Sequence, residues 1–263
     1  MASSLRRALV TGASSGIGAA IALRLLADGY HVAVLGRSLA RLEAAFPASD
    51  RLYPIEADLT TAAGCASAVE RSLAALSGGL DVLVNNAGHG DIGQQLGGGF
   101  DVAAFDALFA LNVRAPTHLI HLLADVLSAA RGVVVNISSI AAQRPFNGMV
   151  PYCMSKAAVD MLTQGAAIEL APRGVRVVGV APGTIATTFH ENAGMTAATA
   201  AAYYAASAST HPIGRVGTAA DIADAVAYLV DPRAGFVTGA TLVVDGGRLL
   251  TSSTAPQLSG GAK

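Results

Sequence analysis

Lysine is almost missing from this chain of 263 residues. Of 17 basic residues only Lys156 and the terminal Lys263 are lysines. A bias toward arginine accounts for the scarcity, but it does not explain why the single internal position kept its lysine. Cysteine is nearly as rare. Two residues, Cys65 and Cys153, exclude a disulfide framework and a cysteine metal cluster. His118 and His121 stand three apart in THLIHLLADVL, a spacing that suits a metal on a helix. No third ligand is visible in the sequence, so a packed helix face is expected and no metal. Charge of one sign is also lacking. The net charge is −1 with no block of like charges, which gives no case for nucleic acid or an anionic membrane as a partner.

Long lipid-compatible runs are absent too. The uncharged stretch 192–210, NAGMTAATAAAYYAASAST, is studded with Thr, Ser, Asn and Tyr. The opening MASSLRRALVTG sets two arginines before a short apolar run that stops at a glycine, without the long core of a signal peptide. A cytoplasmic protein that contacts no membrane is expected.

What the chain does have is alternation. Segments 6–11, 31–36, 51–55, 81–86, 132–138, 175–181 and 241–246 are nearly continuous in Val, Leu and Ile, as in strands covered on both faces. Between them lie helical patterns such as IGAAIALRLLADG, which ends at a stop glycine. Strand–helix repetition implies right-handed crossovers. The expected fold class is α/β, a Rossmann-like doubly wound three-layer α/β/α arrangement around a seven-stranded parallel sheet. No linker divides the chain, so residues 1–250 are expected to form one domain and 251–263 a flexible tail.

Directly after the first strand comes GASSGIG, with Gly12, Gly16 and Gly18 opening a helix. Glycines allow the tight turn and bring backbone N–H groups close to a pyrophosphate at the helix N-terminus. The second strand ends VLGRS, with Gly36 and Arg37 where an acid would select NAD by meeting the adenosine 2′-hydroxyl. An arginine fork suits a 2′-phosphate instead, so NADP(H) is the preferred cofactor and NAD(H) the alternative.

TGASSGIG (11–18), NNAG (85–88), Asn112, NISS (136–139), YCMSK (152–156) and APG (181–183) follow one another in this order. Together they closely resemble the short-chain dehydrogenase/reductase family in its single-domain form of about 250 residues, over residues 5–248. The resemblance implies an active serine 13 residues before the tyrosine, which is Ser139, and a catalytic set of Asn112, Ser139, Tyr152 and Lys156. It implies that Ser14, Ser15 and Ile17 join the three glycines in the cofactor turn. Asp58 and Leu59 would then lie on the adenine side, and Asn85, Ala87 and Gly88 would line the cofactor. Pro182, Gly183, Ile185 and Thr187 would meet the nicotinamide carboxamide.

The chemistry supports these roles. A tyrosine holds a transferable proton at neutral pH, and a cation one helical turn away lowers its pKa. In the reducing direction Tyr152 would protonate a carbonyl oxygen that also accepts a hydrogen bond from Ser139. Lys156 would reach a ribose hydroxyl, and Asn112 would hold a water linking that lysine to solvent. The expected partner is a small-molecule carbonyl, a ketone, aldehyde or 3-oxoacyl group, or the matching secondary alcohol. An NAD-dependent alcohol dehydrogenase and a non-catalytic cofactor sensor are the alternatives.

The substrate side is thinner. Ala141, Gln143 and Phe146, in the loop after Ser139, and Phe189 and His190, in a lid over 188–211, are candidate pocket residues. Arg144 is open between a bridge to another subunit and a contact to an acidic substrate. A lid without a basic cluster argues against highly anionic substrates. The loop 89–101 carries three consecutive glycines and is compatible with a gate. Gly165, with Ala158, Ala166 and Ala167, lets another helix approach closely, as in relatives that assemble. A homotetramer or homodimer is therefore expected.

Overall fold

The computed structural model describes residues 5–90, 96–189 and 194–251. His190 and nearly all of the proposed tail lie outside them, as do parts of the gate and lid segments. Seven strands form one parallel sheet in the order β3-β2-β1-β4-β5-β6-β7. They are β1 (Arg7–Thr11), β2 (His31–Gly36), β3 (Leu52–Glu56), β4 (Val82–Asn85), β5 (Val133–Ile137), β6 (Arg176–Pro182) and β7 (Thr241–Val244). Each lies within two residues of its expected span. Pro54 sits in β3, which pairs only with β2; an edge strand tolerates a residue without an N–H.

Side chains alternate across a strand, so a strand covered on both faces needs apolar residues at every position. Ala8 and Val10 accordingly enter one core, and Leu9 between them enters the other. The first core is closed by α1 (Gly16–Ala27), α2 (Leu39–Ala45) and α8 (Ala219–Val230), through Ile21, Leu25, Leu42, Ile222 and Val226. The second is closed by α3 (Ala62–Ala75), α5 (Ala115–Ala130) and α6 (Val150–Leu170), through Ala68, Leu119, Leu123 and Leu170. Leu9 and Leu123 are fully buried, and truncating such a leucine to alanine costs about 2–5 kcal/mol. Cys65 packs in the second core as a small apolar residue.

Two features depart from regular geometry near the sheet's working end. Helix α4 (Val102–Phe109) does not run straight into α5; a π-helical turn, Ala110–Arg114, joins them and holds Asn112 buried. Helix α7 (Ala197–Ser207) stands apart from the two cores, and Tyr204 on it donates to the Thr187 carbonyl at 2.7 Å. His118 and His121 stack on each other with centroids 6.4 Å apart. Among the described residues no group of three metal-binding side chains is found, and no helix is long and apolar enough to cross a membrane.

Candidate active site

In a doubly wound sheet the crevice opens at the carboxyl ends of the strands, where the strand order reverses. Here that point lies between β1 and β4, and a cavity of about 240 Å³ opens there. The glycine turn and the β4 end are pressed together. Gly12 has φ +64°, and a Cβ on it would lie 2.8 Å from Ala87 Cα. A Cβ on Gly18 would lie 2.4 Å from both Asn86 Nδ2 and the Gly12 carbonyl. The contact is pinned by Thr11, whose hydroxyl accepts from the Asn86 and Ala87 N–H groups, both at 2.9 Å. Asn86 in turn donates from its side chain to the Thr11 carbonyl at 2.8 Å.

Helix α1 therefore starts at the cavity. Ser15, its N-cap, makes no capping bond with its own side chain, and Gly16, Ile17 and Gly18 line the opening. Close backbone, a helix N-terminus and no Cβ in the way are the features a bound pyrophosphate needs, so the cradle fits a dinucleotide. Ala87, Gly88, Pro182, Gly183, Ile185 and Thr187 also line the cavity.

Five expected cofactor residues do not line it. Ser14, Arg37, Asp58 and Leu59 lie beyond its edge. Leu59 is buried in the second core, so its side chain is committed to packing. Arg37 and Asp58 are both exposed, at the ends of the paired strands β2 and β3. The hydrogen bonds from Thr60 hold the Asp58 carboxyl below its ordinary pKa, and the Arg37 charge adds to the effect. Asn85 points the wrong way. It is 6% exposed and donates to Asn136 Oδ1 at 2.9 Å, while Asn136 donates to Thr163 Oγ1 at 3.0 Å. These three side chains tie β4, β5 and α6 together beneath the cavity. The cavity-lining asparagine is its neighbour Asn86, and strand alternation was the signal that separates the two.

Across the cavity stand Ser139, Tyr152 and Lys156. Ser139 follows β5 in extended backbone, with φ −165°, and accepts at its hydroxyl from Ala141 N at 3.1 Å. Tyr152 lies in the first turn of α6, behind Pro151, and packs in a small cluster with Leu108, Ala141 and Cys153. The Phe189 ring lies 5.8 Å from its ring and also fills the space over Gly90. Lys156, one turn on, donates to the Ile137 carbonyl at 2.9 Å, and its Nζ is 5.8 Å from the Tyr152 ring centre.

Burial dominates the electrostatics. It pushes the Tyr152 phenol up to about 12, although the hydrogen bond with Ser139 pulls the other way. It lowers Lys156 to about 8, opposed by the Asp160 carboxylate. The expectation that the lysine lowers the tyrosine pKa is not met in the cofactor-free chain: burial raises the phenol, and the Lys156 ammonium is turned to the Ile137 carbonyl.

Asn112 stands behind the cavity wall. A Cβ on Gly88 would be 3.4 Å from its Oδ1 and 3.5 Å from Lys156 Nζ, so only this glycine separates the two side chains. The Asn112 amide accepts from His89 N at 2.8 Å and donates to the His89 carbonyl and the Ser155 hydroxyl, both at 3.0 Å. Both amide hydrogens are engaged, and Oδ1 keeps one lone pair beyond the bond from His89.

On the substrate side Ala141, Phe146 and Phe189 line the cavity, while Gln143 is exposed and outside it. Met149, Thr184 and Arg248 line it without having been expected. An arginine straight after a double glycine carries no spacing signal that would have marked it. Arg144 is not in the lining; it donates to the carbonyls of Arg248 and Thr251, at 3.4 and 2.9 Å.

The short chain dehydrogenase family model matches residues 6–198. The chain is 37% identical over 247 residues to 2-(S)-hydroxypropyl-CoM dehydrogenase 3 of Xanthobacter autotrophicus, covering 90% of this chain and 94% of that one. Among solved structures, 3-ketoacyl-(acyl-carrier-protein) reductase from Brucella melitensis complexed with NADH matches with a TM-score of 0.83 and 31% identity. The match covers 92% of this chain and 98% of that one. ElxO with NADP bound matches at TM-score 0.84 and 29% identity, over 94% and 100%.

Proposed function

The chain belongs to the short-chain dehydrogenase/reductase family, and from that premise we propose how this oxidoreductase of CH–OH donors uses its NAD(P). It interconverts a ketone or aldehyde and an alcohol, with Tyr152 as the proton donor and acceptor. The dinucleotide, when bound, supplies or takes up the hydride. The observation that carries the reading is one buried wall on which Tyr152, hydrogen-bonded to Ser139, stands beside Lys156 and faces the glycine cradle.

A phenol with a pKa near 12 keeps its proton at neutral pH, which suits donation to a carbonyl oxygen. Ser139 is placed to hydrogen-bond the same oxygen and to steady the phenol as it gives up the proton. Lys156 stabilises the resulting tyrosinate, and its depressed pKa makes it able to pass on a proton in turn. Asn112 acts as a positioning residue that fixes His89 and Ser155 around Lys156, and its Oδ1 keeps one lone pair for a water. Replacing Tyr152 by Phe lowers turnover by about 100-fold or more. Binding of reduced cofactor, followed by its fluorescence, persists. Turnover within tenfold of the parent enzyme with binding intact refutes the proton-donor role.

NADP(H) is the proposed cofactor, supported by the exposed Arg37 after Gly36. NAD(H) is the second reading, because Asp58 lies close enough to Arg37 to compete for its charge. Initial rates with NADPH and NADH across a ketone and alcohol panel decide between them. Self-association through α6 is also proposed. Met154, Met161 and Ile168 are 49%, 66% and 77% exposed along one face, and nothing lies within 4 Å of a Cβ on Gly165 there. A monomeric mass by light scattering would dismiss it.

A further inference from the structure

Arg248 lines the same cavity as Tyr152 and is 4% exposed. It is held from several sides. One Nη donates to the Thr184 hydroxyl, and the guanidinium carbon lies 5.5 Å from the centre of the Phe146 ring. Its own carbonyl is gripped by Arg144, which also stands 5.8 Å from the Phe146 ring on the loop after Ser139. Its charge, however, is unanswered among the described residues: no carboxylate there lies within 4 Å of its nitrogens, and Nε is buried without a hydrogen-bond partner. Asp245, three residues earlier, accepts from the N–H groups of Gly247 and Leu249, one at each oxygen, at 2.8 and 2.7 Å, and makes no ion pair with Arg248.

A buried cation without a counter-ion is costly, and the cost is relieved when an anion enters. A guanidinium held at one Nη and set over a ring keeps planar N–H donors of the kind a carboxylate fits. Ala141, Phe146, Met149 and Phe189 give the substrate side of the cavity an apolar character, and Arg248 is its single arginine. That composition suits one negative charge on an otherwise apolar molecule.

We infer that Arg248 anchors a carboxylate carried by the substrate, so that the enzyme reduces oxo acids and oxidises the matching hydroxy acids. The inference rests on the carbonyl-reduction reading for its reaction and adds the substrate class. It leaves the earlier expectation against highly anionic substrates standing, since one fork serves one carboxylate. It also assigns Arg144: this residue is a positioning residue that sets Arg248 by its main chain, not a substrate contact.

The test compares 3-oxobutanoate, 4-oxopentanoate and 5-oxohexanoate with their methyl esters as substrates of the full-length enzyme, in saturating cofactor. At least one acid is expected to exceed its ester in kcat/KM by about tenfold or more. In Arg248→Met the acid-to-ester ratio falls toward one, and Arg248→Lys, which keeps charge without the fork, lies between. A merely structural role would lower melting temperature and both rates together, without moving the ratio. Should Arg248→Met fail to fold, the parent enzyme answers alone: pentanoate inhibits ester reduction competitively against the ester and not against the cofactor. Esters turned over as well as acids, with no inhibition by pentanoate, overturn the anchor and leave carbonyl reduction standing. If instead no carbonyl compound is reduced but pentanoate still raises the melting temperature in the parent, and does so less in Arg248→Lys, the anchor holds and the reaction assignment fails.

Discussion

Lys156 is expected to destabilise the cofactor-free protein, by an amount that depends on pH in a defined way. Its ordinary pKa is 10.5, and burial brings it to about 8 in the folded chain. The difference, 10.5 − 8, is about 2.5, and at about 1.4 kcal/mol for each it amounts to about 3 kcal/mol. The sign follows from proton counting. Between the two values the unfolded chain holds the proton and the folded chain does not, so stability rises with pH across that window. At pH 7 the full cost of about 3 kcal/mol is present, and at pH 10 about 1 kcal/mol remains. Lys156→Met removes this cost and loses the hydrogen bond to the Ile137 carbonyl, which takes back about 1 kcal/mol or more at every pH. The variant is therefore as stable as the parent or more so at pH 7, and its advantage shrinks by about 2 kcal/mol by pH 10. In a chain of this size that is a change of about 4–8 °C in the difference between the two melting temperatures. Differential scanning fluorimetry at pH 7, 8, 9 and 10 without cofactor reads it directly. Tyr152, whose raised pKa lowers stability as pH climbs from 10 toward 12, begins to act only at the top of the window and is present in both proteins. Cys65, raised by burial, is common to both proteins and cancels. Parallel pH curves for the two proteins would show that Lys156 is not held at a depressed pKa.

Three further outcomes are expected. Gly18→Ala places a Cβ 2.4 Å from Asn86 Nδ2 and the Gly12 carbonyl, so it costs about 1–3 kcal/mol in urea unfolding and abolishes cofactor binding in titration. Thr163→Val keeps the volume but leaves Asn136 Nδ2 without its acceptor, which costs about 1–3 kcal/mol; an unchanged urea midpoint would deny the buried network any weight. Arg37→Ala raises the KM for NADPH by about tenfold while that for NADH stays within twofold, and equal changes would remove the argument for a 2′-phosphate.

The framework was largely legible in the residues. Val82, Leu83 and Val84, or Val133, Val134 and Val135, leave no polar face, and a strand with no polar face has to lie between two layers. The spacing of Ser139, Tyr152 and Lys156 was legible for a related reason: a strand end and one helical turn fix where three side chains go. What stayed hidden was decided by long-range packing. The π-helical turn at Asn112 has no composition signal, since ALNVR reads as ordinary helix, yet it sets the amide against His89. Asn85 and Asn86 are identical as letters and opposite in orientation. Arg248 belongs to the cavity only because Thr184, Phe146 and Arg144, from distant parts of the chain, converge on it.

The bond from Arg144 to the carbonyls of Arg248 and Thr251 joins two stretches that are more than a hundred positions apart. For anyone recombining specificity between relatives, the loop over 140–149 and the segment over 246–251 therefore form one cassette. Grafting either alone would import a guanidinium whose acceptors were left behind, or a carbonyl pair whose clasp was. A library that swaps both together samples pockets; one that swaps them singly samples mostly misaligned walls.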